Sequence, residues 1–225
     1  MQQQQRKSMT SGLALALTLS IGALVFVAGC NIVAPAYLLV HGPEKIPQVY
    51  ALDRERSVVF FLDDREFNIR RAPTRERVAA AAERALLDAK AVDRVLDSRA
   101  AMTVVSGEPR GDLLPISEVG RKVGAEVVIY VVPEIFTLST DGQTFTPMAR
   151  LRVKVLDAAA DTRLWPEERE GYTLEVTATK RQGSLPTDAS SIRQAENDFA
   201  DLVGRRLAQL FYAHEADTVA DERTR

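Results

Sequence analysis

Few side chains in this chain have types and spacing suited to chemistry. It holds one cysteine, Cys30, and two histidines, His41 and His214. A Cys–His or Ser–His engine or a zinc site would have to be built from these three. Cys30 and His41 lie near the start and His214 near the end. Gly107-Glu108-Pro109-Arg110-Gly111 lacks both the spacing and the lysine of a phosphate-binding loop. The sharpest acidic candidate is Asp63-Asp64, which closes the apolar run Ser57-Val58-Val59-Phe60-Phe61-Leu62. Two carboxylates at the carboxyl end of a buried strand could hold Mg²⁺ or position a substrate, because ligands bind at that edge of open α/β sheets. The more ordinary fate of such acids is solvation or pairing, and Arg65, Arg70 and Arg71 are close in sequence. The expectation is no catalytic residue, no metal and no cofactor, with Asp63 and Asp64 kept as candidates for partner contact. Trp165, the only tryptophan, is the third such candidate. Exposed, it would suit a partner hot spot; a place in the core or against a hairpin is its more ordinary role. Arg150, Arg152 and Lys154 form a basic row, usually a solvated sheet face and otherwise a surface for anionic glycan or lipid head groups.

Cys30 has the most specific context. Met1 to Ser8 is polar and carries Arg6 and Lys7, and Leu13 to Val27 is apolar apart from Thr18 and Ser20. A basic start, an apolar stretch of this length and small residues before a cut site are the parts of a secretory signal. A spanning helix usually needs about 20 apolar residues, more than this run supplies. Val27-Ala28-Gly29-Cys30 resembles the bacterial lipobox, with Val27 in place of the usual leucine. That resemblance implies a diacylglycerol on the Cys30 sulfur, cleavage before Cys30 and acylation of its new amino group. Each buried CH₂ contributes about 0.8 kcal/mol, so several chains anchor stably where one does not. A lone cysteine in an exported domain has no internal disulfide partner. Two other readings stay open. Cys30 could be an inert thiol, or the apolar run could continue through Ile32 to Val40 as an uncleaved anchor, interrupted by Asn31 and Pro35.

Arg6 and Lys7 are the only charges in 1–29. Without them, 27 of the 29 basic residues remain against 31 acids, a formal charge of −4. That balance gives no electrostatic reason for nucleic-acid binding. The expected organisation is a signal peptide over 1–29, a lipidated N-terminus and tether over 30–56, one domain over 57–214 and a polar tail over 215–225.

Within the domain, 57–62 reads as a strand buried on both faces. Pro73-Thr74 opens a helix whose apolar positions are Val78, Ala81, Ala82, Ala85, Leu86 and Ala89. Val92–Leu96 suggests a short strand and 100–105 a helix. Ser117 suggests the N-cap of a short helix to Val123, and Gly124 its stop. Residues 126–132 read as a second buried strand ended by Pro133. Then the pattern changes to clean alternation, with Leu151, Val153 and Val155 on one side and Arg150, Arg152 and Lys154 on the other. Thr162–Trp165 and 172–177 continue it, placing Glu175 across from Arg152 and Lys154. A final amphipathic helix spans about 190–214. The expected class is α/β (α+β): a mixed sheet with helices on it, a C-terminal antiparallel meander and a terminal amphipathic helix.

Val123-Gly124-Ala125-Glu126-Val127-Val128-Ile129 and the hairpin Leu151-Arg152-Val153-Lys154-Val155-Leu156-Asp157 to Arg163-Leu164-Trp165 carry a resemblance over roughly 57–211. They resemble envelope lipoproteins whose small α/β domain is like the N-terminal domain of the Tol translocation protein, a group including curli-secretion and penicillin-binding-protein activator lipoproteins. The resemblance implies a non-catalytic module of the bacterial cell envelope. Its membrane contact would be the lipid on Cys30, it would face the periplasm, and its partner would be another envelope protein or a second copy. It supplies no catalytic residue. The alternatives are an oligomeric secretion or assembly component, or a metal-assisted enzyme using Asp63 and Asp64.

Overall fold

A computed structural model describes residues 45–107, 113–178 and 185–215. Cys30, His41, most of the 107–112 loop, residues 179–184 and the tail from 216 lie outside the described residues. The chain divides into two compact units, Met1–Lys45 and Ile46–Arg225. The second unit carries the mixed sheet and the helices that pack on it.

In the mixed sheet, strand β1 (Val58–Leu62) is buried at every position. That is what a continuous Val/Phe/Leu run requires when both sheet faces are covered. Helix α1 (Ala72–Asp88) follows, with proline in its first turn, where the missing N–H is harmless. A two-residue strand, β2 (Val95–Leu96), lies parallel to β1. Helices α2 (Ser98–Ser106) and α3 (Ile116–Val123) lead to β3 (Val127–Thr137), parallel to β1 on its other side. Strand β4 (Met148–Asp157) runs antiparallel to β3. Strands β5 (Thr162–Trp165) and β6 (Tyr172–Thr177) then lie end to end along the far edge of β4. Helix α4 (Ala189–Gln209) closes the domain. The six strands form one mixed sheet in the order β2-β1-β3-β4-β5, with β6 also on β4, and four helices pack on it.

Each sheet face has its own core. On the first, Phe60, Ile129, Leu151, Val153 and Val155 meet Val78, Ala82 and Leu86 of α1 and Phe199, Val203 and Leu207 of α4. The alternation in β4 falls as expected, with Ala149, Leu151, Val153 and Val155 buried. Gly204 lets α1 and α4 approach closely: a Cβ there would collide with the Val78 carbonyl oxygen and the Ala81 side chain. Arg77 ties the same helices from outside, its Nε and Nη2 donating to Asp201 at 2.9 and 2.6 Å. On the second face, Val59, Phe61 and Val128 pack against Ala101 of α2 and Val119 of α3.

Several boundaries differ from the sequence pattern for identifiable reasons. The N-cap of α3 is Pro115, whose carbonyl accepts from the amides of Glu118 and Val119 at 2.9 and 3.1 Å. Ser117 therefore lies inside the first turn, buried. Gly124 ends α3 in the left-handed region, at φ 79°, as its lack of a Cβ allows. Pro133 does not end β3; the register shifts between Pro133 and Ile135 and the strand runs on to Thr137. An irregularity of this kind is where a proline fits within a sheet. Helix α4 stops at Gln209 rather than near 214. The amides of Val49 and Tyr50 both donate to the Leu210 carbonyl, at 2.8 and 3.0 Å, and Tyr50 and Leu52 pack on the first core. Among the described residues no helix is long and apolar enough to cross a membrane.

Candidate functional site

Strand β1 ends at Leu62, and the chain turns through 63–71 into α1. The backbone amide of Asp63 still donates to Val131 of β3, at 2.8 Å, so Asp63 continues the strand. Its Oδ2 accepts from the Tyr130 hydroxyl at 2.9 Å and its Oδ1 from Arg65 Nε at 2.9 Å. Burial, reinforced by this carboxylate, raises the Tyr130 phenol well above its usual pKa. Asp64 works within its own loop. Its Oδ1 accepts from the Asn68 amide at 2.8 Å and its Oδ2 from the Ile69 amide at 3.0 Å, with Arg75 Nη1 at 3.4 Å. The Asp64 side chain is 1% exposed. The paired acids thus have separate partners, with arginine on each. Among the described residues no group of three or more His, Cys, Asp or Glu is placed to hold a metal ion.

This loop carries a residue that its sequence does not single out. Phe67 has φ 58°, an uncommon conformation for a bulky side chain, and is 68% exposed. Asp64 holds the turn on one side, and Asn68 Nδ2 donates to the Pro133 carbonyl at 3.0 Å on the other. A hollow lies on each side of the loop. One, of about 390 Å³, sits between Leu62, the first half of α1 and α2. Chain order explains it: the connection after β1 crosses one face and the connection after β2 the other, which opens a crevice at the strands' carboxyl ends. The second, of about 320 Å³, lies between the start of α1, the end of β3 and the start of α4.

Trp165 is half-buried. Its ring stacks on Tyr50 at 5.7 Å, tilts against Tyr172 at 4.9 Å and meets Phe211 edge-on at 6.3 Å. Asp63 and Asp64 lie at the carboxyl edge of the parallel strands, whereas Trp165 lies on β5 beside the end of β4; the structure does not gather the three into one site.

The second sheet face changes character along β4. Near Val59, Phe61 and Val128 it is covered by α2 and α3. Farther along, Arg150, Arg152 and Lys154 emerge. Arg150 stands opposite Glu175 in the register and pairs with it, at 2.8 Å. Arg152 instead reaches Glu134 on β3, at 2.7 Å. The expected pairing of Arg152 and Lys154 with Glu175 is thus replaced, because β6 sets Arg150 against Glu175 and the β3 irregularity brings Glu134 to Arg152. Lys154 has no hydrogen bond or ion pair to any described residue. Burial lowers its pKa, and Arg163 and Arg152 push it the same way, with Glu170 opposing them more weakly. The basic row therefore narrows to one cluster, Lys154 with Arg152 and Arg163, beside side chains as exposed as Glu175 at 57%. Arg163 belongs to β5, so only the strand pairing reveals this cluster.

No family model matches the chain, and no curated protein sequence does. Similar solved structures include a PelC dodecamer from Paraburkholderia phytofirmans, 14% identical, covering 75% of this chain and 96% of that one, with a TM-score of 0.40. Lipoprotein GNA1162 from Neisseria meningitidis is 10% identical and covers 62% and 89%, at 0.36. Protein XCC0632 from Xanthomonas campestris is 11% identical and covers 74% and 91%, at 0.42. TM-scores below 0.5 leave function to this chain's own residues.

Proposed function

We propose that this protein is a lipid-anchored module of the bacterial cell envelope that docks an acidic surface of another envelope protein without catalysing a reaction. In this reading residues 1–29 are the export signal, Cys30 carries the lipid and the domain faces the periplasm. The Val27-Ala28-Gly29-Cys30 sequence supports the anchor, and the resemblance of the strand phrases to envelope lipoproteins points the same way.

The observation that carries the docking reading is the Lys154, Arg152 and Arg163 cluster on the open part of the second sheet face. Arg152 is already neutralised by Glu134, while Lys154 forms no ion pair among the described residues. A partly desolvated lysine flanked by like charges is complemented by a partner's carboxylates, which set orientation and association rate. Asp63 and Asp64, the strongest candidates for turnover, are each engaged in holding the chain's own structure.

The test is a photo-reactive amino acid placed at Lys154 in living cells, with the α4 position Arg205 as control. One discrete adduct from Lys154 alone is expected. It should be lost on Arg163→Glu, and the captured protein should present acidic residues at the cross-link. An adduct between two copies of this chain, or one that survives Arg163→Glu, overturns the reading. The anchor is tested separately by labelled palmitate, whose incorporation should vanish in Cys30→Ser.

A further inference from the structure

The hollow at the start of α1 is set apart from the docking face and shares no residue with it. Helix α1 begins at Ala72 with Arg71 as N-cap, and no side chain caps it. Pro73 has no N–H and the amides of Thr74 and Arg75 already donate to the Arg71 carbonyl, at 3.1 and 3.2 Å, so this start offers the positive end of the helix dipole rather than a row of free amides. Thr74, in that first turn, lines the cavity of about 320 Å³. It is 2% exposed, and its Oγ1 has no hydrogen-bond partner among the described residues. Buried hydroxyls are normally satisfied, so one that is not marks a place where something else completes the bonding.

Two arginines stand at the same cavity. Arg71 is engaged, its Nη1 donating to Glu196 Oε2 at 3.0 Å, so the carboxylate in the wall is already matched. Arg70 is exposed and has no hydrogen bond or ion pair to any described residue. A guanidinium with no partner among the described residues, an unpartnered hydroxyl and the positive end of a helix lie at one cavity, a combination that favours an oxyanion. The rest of the wall is mixed, with polar Asn68, Thr137 and Ser139 beside apolar side chains. Phe136, Leu138 and Ile192 are partly buried and apolar, a surface for hydrocarbon.

We infer that this cavity binds a small amphiphile, with its phosphate or carboxylate head against Arg70 and Thr74 and its alkyl or acyl body along Phe136, Leu138 and Ile192. The volume lies in the range of small-ligand pockets, about 300–1,000 Å³. Head and body are both required: the donors select the anion, and the apolar wall separates an amphiphile from free inorganic phosphate.

The experiment is calorimetric titration of the full chain in phosphatidylcholine nanodiscs with hexyl phosphate, inorganic phosphate and hexanol, corrected against empty nanodiscs. Hexyl phosphate should bind at least roughly tenfold more tightly than either of the others. Arg70→Ala should weaken it by roughly tenfold or more, the effect of one charge-assisted hydrogen bond. Thr74→Val should weaken it several-fold and leave the ligand-free melting temperature unchanged or higher, since an unmatched hydroxyl is removed. Arg70 is on the surface, so the test survives if Thr74→Val folds poorly. Hexyl phosphate and inorganic phosphate binding alike would overturn the inference, as would undiminished binding to Arg70→Ala or no binding at millimolar ligand.

Discussion

Asp63 and Asp64 are adjacent, yet they close two different connections. Asp63 accepts the Tyr130 hydroxyl and joins β1 to β3, while Asp64 accepts the amides of Asn68 and Ile69 and shapes the entry to α1. Asp64→Asn leaves at most one acceptor where two oxygens now accept. It should lower stability by about 1–3 kcal/mol, the usual consequence of leaving buried donors unmatched. Asp63→Asn keeps an amide oxygen to accept the Tyr130 hydroxyl and should lose less. Urea denaturation of both variants checks this, and equal losses would count against it. A double replacement is therefore a poor test of catalysis, because loss of activity would follow from loss of the loop; Asp63→Asn alone is the informative variant.

Gly204→Ala should be destabilising although alanine favours helices. The added methyl meets the Val78 carbonyl oxygen and the Ala81 side chain, so α1 and α4 must separate. Overpacking of this kind costs about 1–3 kcal/mol. Thermal unfolding would show a lower midpoint, whereas a rise would mean that the helices are less tightly apposed.

Trp165→Ala should cost about 2–4 kcal/mol, at or below the usual range for removing a large aromatic, because the ring is only half-buried. It should also release Tyr50, which stacks on it, so faster amide exchange at Val49 and Tyr50 is the specific signature. Trp165→Phe should retain most of the stability. Exchange unchanged in Trp165→Ala would contradict the coupling.

Asp188 caps α4 through the amides of Ser190 and Ser191, at 3.1 and 2.9 Å. The Ser190 and Ser191 side chains, then their amides, hold its carboxyl well below the ordinary aspartate value. A depressed carboxyl stabilises the fold above its unfolded pKa, about 3.9, and that contribution is lost as pH falls through the folded value. Asp188→Ala should therefore melt a few degrees below the parent at pH 7, and the two should converge in strong acid. A constant difference down to pH 2 would show that charge is not the cause.

What the sequence made legible was local. The Val/Phe/Leu run of β1, the two-residue alternation of β4, the alanine-rich stripe of α1 and Gly124 each declare their element within a few residues. What it hid depends on distant neighbours. Pro133 looks like a terminator until the strand irregularity is seen beside β4. Ser117 looks like a cap, but Pro115 supplies the carbonyl. Glu134 has no visible partner until β3 and β4 are in register, and Arg163 joins Lys154 only through strand pairing. Phe67 gave no signal, because a positive φ is a property of the folded loop. Thr74 reads as an ordinary first-turn residue; its lack of a partner emerges only with α4 and the end of β3 in place.

The shared use of the Leu210 carbonyl by Val49 and Tyr50 has a mechanical consequence. The segment 49–52, an N-terminal strap, meets the body at the end of its last helix, not at β1. A pull transmitted along the chain from a membrane tether would load that carbonyl and the Tyr50–Trp165 stack before it reached β1. The strap would peel first, and the central strands would stay unstrained until it had gone. Tension would thus act as a graded release of the Trp165 corner, and a force-spectroscopy trace should show a small early rupture ahead of the main unfolding event.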